Sequence, residues 1–230
     1  MFVFGKHYAG GICEIYENDF HKNLAYLIML GTTEDITVVD KSGTQCCGPA
    51  LLIKPMVEHF IVKSPSLACS IFLAPNSAFA ASLDGFASNK GIIKLPPDAL
   101  PFHSGMSNDE IFSTIDKLIA ESDAEIDPRL AAAIEALEDM SYQSSIADIV
   151  EQSELSASRL RALAKEQIGV PLSSLLLWRK LIKSMEVLAS GCTLSEAAMA
   201  GGFSDQAHFS RTMRKMFGIT PSNSTNALNY

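Results

Sequence analysis

Polar and basic side chains recur at helical spacing near the end of the chain, in the segment GGFSDQAHFSRTMRKMFGITPS (residues 201–222). A helix over the middle of this segment would carry on its exposed side Gln206, His208, Arg211, Arg214 and Lys215. Glutamine pairs well with adenine, arginine pairs well with guanine, and lysine or arginine neutralises phosphate. The chemistry that this helix could do is recognition of double-stranded DNA.

Helix start and stop signals divide the last part of the chain into two similar units. In each unit a short helix turns into a longer basic helix that ends at a glycine, Gly169 in the first and Gly218 in the second. This is the helix-turn-helix arrangement, which sets the second helix into the major groove. A long helix between Pro171 and Gly191 joins the units. Its length of roughly 28 Å is compatible with the roughly 34 Å between successive major grooves.

These residues carry a family resemblance. Residues 201–222 resemble the signature of the AraC/XylS transcription regulators, and residues 146–188 resemble that family's first helix-turn-helix and linker helix. The resemblance covers about residues 140–222. It implies a sequence-specific transcription regulator that binds double-stranded promoter or operator DNA and works with RNA polymerase.

The resemblance also implies which side chains contact DNA. The outward positions, which the family uses for base edges and phosphates, are Ser158, Arg159, Arg161 and Lys165 in the first unit and Gln206, Ala207, His208, Arg211, Arg214 and Lys215 in the second. We expect Arg161 and Arg211 to read bases. We expect Arg214 and Lys215 to neutralise phosphate.

The total charge hides a difference between the two ends of the chain. The 230 residues have a formal net charge of −8, which by itself argues against a nucleic-acid partner. Residues 1–139, however, hold 9 Lys and Arg against 19 Asp and Glu, whereas residues 140–230 hold 9 against 7. A C-terminal part that is poorer in acid suits a polyanionic partner.

Composition and cysteine usage indicate the cellular compartment of the protein. No run of about 18 apolar residues occurs, and the N-terminal MFVFGKHYAG lacks a signal-peptide pattern. The five cysteines are scattered and indicate neither a disulfide framework nor a metal knuckle. We therefore expect a cytoplasmic protein without membrane contact.

Short apolar runs rich in β-branched and aromatic residues fill the chain before residue 100 and are separated by turn signals. They predict an antiparallel β-sandwich or barrel. The segment ALLIKPMVEHFIV (residues 50–62) resembles the cupin-like sensing domain of the AraC/XylS family, which implies a pocket for a small-molecule effector near His21 and His59. We expect an α+β protein with a cupin-like domain over 1–105, connecting helices over 106–139 and a double helix-turn-helix domain over 140–230.

The first of the connecting helices has an apolar stripe formed by Ile111, Ile115, Leu118 and Ile119. Such a stripe could pair with its copy in a second subunit about a two-fold axis, or it could cover the β-sheet of its own chain. AraC/XylS regulators often dimerise through helices at this point. The resemblance therefore favours a homodimer.

A different class of function is a metal-dependent cupin enzyme fused to a DNA-binding tail. Catalytic cupins bind their metal through several histidines and a glutamate, but here the usual His-x-His pair is absent and only His21 and His59 are well placed. We therefore expect no metal, no cofactor and no catalysis. A regulator that senses nothing stays open as a third alternative, as does a sensing role for the adjacent Cys46 and Cys47.

Overall fold

A computed structural model of the chain describes residues 2–16, 18–86, 91–103, 105–122, 126–139, 145–153 and 155–222. The strands are β1 Val3–Phe4, β2 Tyr8–Ile15, β3 His21–Lys22, β4 Tyr26–Gly31, β5 Ile36–Asp40, β6 Gln45–Gly48, β7 Ala50–Ile53, β8 Glu58–Ile61, β9 Ser64–Leu73 and β10 Ile92–Lys94. The helices are α1 Ala78–Ser82, α2 Asn108–Glu121, α3 Pro128–Asp139, α4 Ile146–Gln152, α5 Ala157–Gln167, α6 Leu172–Ala189, α7 Leu194–Ala200 and α8 Gln206–Phe217. None of the helices in these ranges is long and apolar enough to cross a membrane.

The strands form two antiparallel sheets that share an apolar interior. The larger sheet has the order β1-β2-β9-β4-β7-β10, and the smaller has the order β3-β8-β5-β6. Alternate side chains of both sheets point into the space between them: Ile15, Leu27, Met29, Ile36, Val38, Leu51, Ile53 and Ala68. All eight are buried, so side chains fill the interior, as in other small barrels. The α+β prediction, with strands first and helices last, is confirmed.

Helix α2 covers the outer face of the larger sheet. Ile111 and Ile115 are 4% and 0% exposed and share one apolar core with β2, β4, β7 and β9. Gly10 in β2 permits the close approach, because a Cβ there would lie 2.9 Å from the ring of Phe112. We call the two sheets together with α1 and α2 the β domain.

The apolar stripe of α2 therefore lies mostly inside the β domain. Leu118 and Ile119 are half-buried and pack against the same core as Ile111 and Ile115. Of the two arrangements considered for this stripe, the structure shows the one in which it covers its own sheet. A dimer contact on this helix would have to use Leu118, Ile119 and surfaces outside the stripe.

Helix α3 belongs to a different core from α2. Leu130, Ile134 and Leu137 are buried against apolar residues of α4, α5 and the first half of α6. The expected connecting region over 106–139 is thus not one structural unit. Its first helix completes the β domain, and its second completes the core of the first helix-turn-helix.

The second helix-turn-helix shares its core with the β domain. Leu24 and Ala74 pack with apolar residues of α6, α7 and α8, which include Trp178 and Phe217. The ring of Phe72 in β9 lies 5.2 Å from that of Phe217, edge to face, and 6.3 Å from that of Trp178. In the part of the chain that the structure describes, the core of the first unit is instead built from α3 to α6 alone.

Candidate nucleic-acid interface

The first helix-turn-helix consists of α4 and α5. The Ser156 side chain caps α5 by accepting a hydrogen bond from the amide of Arg159 at 3.3 Å. Leu160 and Leu163 turn one side of α5 into the core, where they are 1% and 3% exposed. The residues expected to contact DNA are all exposed on this helix: Ser158, Arg159, Arg161 and Lys165.

The second helix-turn-helix consists of α7 and α8. The Asp205 carboxylate caps α8 by accepting a hydrogen bond from the amide of His208 at 2.6 Å, and this bond holds the pKa of Asp205 below its usual value. Phe209 and Met213 are fully buried on the inner side of the helix. The remaining expected DNA contacts are exposed on α8: Gln206, Ala207, His208, Arg211, Arg214 and Lys215.

Helix α6 connects the two units as one continuous element. Leu175 in its first half packs into the core of the first unit, and Leu181 and Met185 pack into the core of the second. Its 18 residues span roughly 27 Å. The relative orientation of α5 and α8 is therefore fixed by a single helix rather than by a loop.

The His208 side chain is directed back towards the turn that precedes α8. Its Nδ1 lies 3.2 Å from Oγ of Ser204, and its ring stands edge to face with that of Phe203 at 5.2 Å. His208 thus supports the geometry of the turn as well as belonging to the exposed surface. Sequence patterns did not predict this supporting role.

Arg214 contacts the β domain. Its Nε donates a hydrogen bond to the Asp19 carboxylate at 2.6 Å, and the amide of Asp19 donates to the carbonyl of Gly218 at 3.0 Å. Gly218 ends α8 with a φ of 72°, and a Cβ there would lie 2.6 Å from Nδ1 of His21. The C-terminal end of α8 is thus attached to the segment before β3 by a contact between positions 195 residues apart.

We expect Asp19→Asn to strengthen DNA binding modestly. The Arg214 and Asp19 side chains are 63% and 55% exposed, so the pair itself adds less than about 1 kcal/mol to the free energy of unfolding. Without the carboxylate, Arg214 can neutralise a phosphate. The affinity should rise by a factor of about two to five, and the salt dependence should steepen by about 0.9 in log–log slope.

The measurement is fluorescence anisotropy of a labelled DNA duplex at several salt concentrations. Asp35→Asn removes the same charge from an exposed position before β5 and serves as the control. A salt slope that is equal in Asp19→Asn and the parent would show that Arg214 does not exchange Asp19 for phosphate.

His21 and His59 lie side by side in neighbouring strands of the smaller sheet. Their ring centroids are 4.4 Å apart, and the residues are 4% and 0% exposed. The Nδ1 atoms lie 2.8 and 2.9 Å from the main-chain carbonyls of Asp19 and Val57. Burial lowers the pKa of both rings, and in His21 the neighbouring His59 lowers it further, to about 4. The pair is thus a buried, uncharged packing contact rather than the lining of an open pocket.

Metal and thiol sites were the other open questions for the β domain. Across the described ranges, no group of three or more His, Cys, Asp or Glu could hold a metal ion. Cys46 packs half-buried against the barrel interior, whereas Cys47 is exposed, with its Sγ 3.9 Å from an Asp35 oxygen. Successive side chains of a strand point to opposite faces, so the two sulfurs are poorly placed to act together.

Two cavities lie where the β domain meets the helices. The smaller, of about 100 Å³, is at the barrel mouth, where Met29 and Phe72 face Met213 and Phe217. We call it the mouth cavity. The larger, of about 440 Å³, lies between the β1–β2 connection, α3 and α6. We call it the α3–α6 groove. Neither His21 nor His59 lines either cavity.

Comparison with known proteins identifies the type of the C-terminal part. Residues 149–226 match the family model of a helix-turn-helix domain. This range begins within α4 and covers α5 to α8. No curated protein sequence matches the chain.

The fold of nearly the whole chain is similar to that of ToxT from Vibrio cholerae. The apo K231A form from strain SCE256 is 16% identical, with 98% of this chain and 99% of that chain covered and a TM-score of 0.61. The structure of wild-type ToxT with a bound unsaturated fatty acid is 13% identical, with 96% and 95% covered and a TM-score of 0.58. At these identities the likeness concerns the fold.

Proposed function

We propose that this chain is a DNA-binding transcription regulator of the AraC/XylS type and that its two helix-turn-helix units read two consecutive major grooves of one DNA site. The observation that supports this is the pair of exposed basic surfaces on α5 and α8, joined by the single helix α6. Recognition helices in successive grooves lie about 34 Å apart. Two helices packed at opposite ends of α6, which is roughly 27 Å long, can meet that distance.

Each exposed side chain has a role that follows from its chemistry. In this proposal Arg161 and Arg211 pair with guanine, and Gln206 pairs with adenine. The remaining basic side chains of the two helices neutralise phosphate and fix the protein on the duplex. Arg214 joins them once it leaves Asp19.

A small-molecule effector is the second part of the proposal. ToxT, which has a similar fold, has been solved with an unsaturated fatty acid bound. In the present chain the barrel interior is filled, so an effector would bind where the β domain meets the helices. There it would touch elements of both parts and could change their relative position.

The cellular location, the partners and the oligomeric state complete the proposal. We place it in the cytoplasm, at promoters or operators, acting with RNA polymerase as a regulator and not as an enzyme. A homodimer would bring four recognition helices to DNA with repeated half-sites. Because Ile111 and Ile115 are buried, its contact would lie elsewhere on α2 or outside it.

The test of the DNA-reading role is alanine substitution of Arg211. If Arg211 pairs with a guanine, Arg211→Ala should cost about 1–3 kcal/mol of binding free energy at the selected site and relax the base preference there. The cognate site is first obtained by selection from random duplexes, and binding is measured by anisotropy. Lys117→Ala removes an exposed positive charge from α2 and should leave binding unchanged.

Arg161→Ala should have the same effect in the other half of the site. Arg211→Ala protein that binds its selected site as tightly and as selectively as the parent would contradict the assignment of α8 as a base-reading helix.

A further inference from the structure

The segment before β3 holds the C-terminal end of α8 through three contacts. The amide of Asp19 donates a hydrogen bond to the carbonyl of Gly218 at 3.0 Å, and the Asp19 carboxylate accepts one from Nε of Arg214 at 2.6 Å. The third contact is the imidazole of His21, which packs so closely on Gly218 that a Cβ there would lie 2.6 Å from Nδ1. The end of this recognition helix therefore rests directly on a titratable ring.

Hydrogen bonds define which nitrogens of the His21–His59 pair carry a proton. The two Nδ1 atoms face the main-chain carbonyls of Asp19 and Val57 at 2.8 and 2.9 Å, and a carbonyl can only accept. In each neutral ring the proton is therefore on Nδ1. Nε2 of His59 is buried, and no atom of the described residues hydrogen-bonds to it. A second proton on this ring would have no acceptor.

The charged groups around the pair are already engaged with one another. They are Asp19 in the segment before β3, Lys22 in β3, Asp40 in β5, Lys41 after it, Glu58 in β8 and Arg214 in α8. The Asp40 carboxylate accepts hydrogen bonds from the turn after β5, and that of Asp19 accepts from Arg214. Glu58 pairs with both lysines at 3.2 Å, and it points away from the rings because neighbouring strand residues alternate between faces.

Attachment of α8 to this segment therefore favours the uncharged rings. Burial lowers the pKa of both, and in His21 the neighbouring ring lowers it further, to about 4. A histidine in water has a pKa of about 6.5. The contribution of His21 to the attachment is thus complete above about pH 6.5 and is lost as the pH falls towards 4. At about pH 5.5, a ring whose pKa returns to 6.5 on release shifts the equilibrium about tenfold towards the released helix.

These contacts make the attachment of one recognition helix sensitive to acid. We propose that protonation of the His21–His59 pair releases the C-terminal end of α8 from the β domain. The release frees Arg214 from Asp19, so that its guanidinium can neutralise a phosphate. As a control of DNA binding the inference rests on the function proposed above, whereas the release itself can be measured without DNA.

Trp178 reports on this attachment. It is the single tryptophan, and its ring lies 6.3 Å from those of Phe72 in β9 and of Phe217 at the end of α8. The full-length protein is titrated from about pH 7.5 to about pH 5 while tryptophan emission and far-ultraviolet circular dichroism are recorded. The emission should change reversibly while the ellipticity is retained. Loss of ellipticity in step with the emission would mean acid unfolding and would overturn the inference.

Histidine substitutions identify the groups that titrate. His21→Asn and His59→Asn keep an amide donor for the main-chain carbonyl but cannot take up a second proton. Each should reduce the emission change, and the double variant should abolish it. His7→Asn, at a half-buried position in the β1–β2 connection, and His103→Asn, at an exposed one, are the controls and should leave it unchanged. A full emission change in the double variant, or its loss in either control, would overturn the inference.

Asp19→Asn tests the same attachment without altering the rings. It removes one of the three contacts that hold α8, so release needs less protonation and the midpoint of the emission change should move to higher pH. Because the Arg214–Asp19 pair is exposed, this shift should be less than about half a pH unit. A midpoint that stays in place or moves to lower pH would show that the titrating groups are not coupled to the end of α8.

DNA binding separates this inference from the proposed function. At about pH 7.5 the log–log salt slope of the parent should be shallower than that of Asp19→Asn by about 0.9, and the difference should become smaller at about pH 5.5. Protonation of His208 on α8 affects both proteins alike. A difference that persists would contradict control of DNA binding by the pair. If selected DNA binds and the emission does not change, the inference fails and the DNA-reading function stands. If the emission changes as expected and no DNA site is selected, the reverse holds.

Discussion

Ile115→Asp is expected to unfold the β domain. Ile115 is fully buried between α2 and the larger sheet, so the substitution removes a large apolar group and puts a carboxylate in its place. Loss of the apolar side chain alone costs about 2–5 kcal/mol, and burial of an unpaired charge adds to it. Because whole domains have free energies of unfolding of about 5–15 kcal/mol, most of the stability of this domain would be lost.

Thermal unfolding followed by circular dichroism measures this effect, with light scattering to follow the oligomeric state. Ser113→Asp introduces the same charge at an exposed position of the same helix and should change stability by less than about 0.5 kcal/mol. Leu118→Asp, at a half-buried position, should fall between the two. A folded, stable Ile115→Asp monomer would instead mean that Ile115 sits in a contact between subunits.

The stripe on α2 illustrates what periodicity can predict and what it cannot. Spacing along the sequence correctly indicates that Ile111 and Ile115 lie on the apolar side of a helix. The same spacing fits a helix that meets a second subunit and a helix that covers its own sheet. The choice between them depends on the partner surface, such as the close approach at Gly10, which no local pattern encodes.

The expected unit boundary at residue 139 shows a related limit. The helices predicted over 106–139 were expected to form one connecting region between the two domains. Helical patterning predicts that α2 and α3 are helices, whereas the partners of their buried sides decide which core each joins. The split between the β domain and the first helix-turn-helix was therefore not predictable from composition.

Local signals were more informative within the helical part. Caps and glycine stops gave the order and approximate limits of α4 to α8, because these signals act within one or two turns. The exposed positions on α8 followed from helical spacing, and those on α5 followed from the family resemblance. Long-range contacts could not be predicted from local signals. The Arg214–Asp19 pair and the contact of Phe72 with Phe217 join parts of the chain that share no local pattern.

We predict that the two recognition helices, α5 and α8, bind DNA as one rigid unit. α6 has 18 residues and contributes buried side chains to both helix-turn-helix cores, so it cannot stretch or bend to follow a displaced half-site. Moving one half-site by about 5 base pairs puts it on the opposite face of the duplex, and moving it by about 10 adds roughly 34 Å along the axis. Either change should leave one unit without its base contacts.

The expected loss of DNA-binding affinity is large. Each good side chain–base pairing contributes about 1–3 kcal/mol, so loss of two or more in one unit should weaken binding by roughly a hundredfold. Affinity should then match that of a duplex with a single half-site. If the two units were flexibly connected, by contrast, the affinity would recover when the half-sites are again on the same face of the duplex.

The most direct measurement is therefore the affinity of the full-length protein for duplexes that carry both selected half-sites at the natural spacing, with about 5 and with about 10 added base pairs. If the two units are rigidly connected and bind consecutive grooves, binding should be tight at the natural spacing and equally weak at both longer spacings. Recovery of tight binding with about 10 added base pairs, or equal binding to all three duplexes, would contradict it.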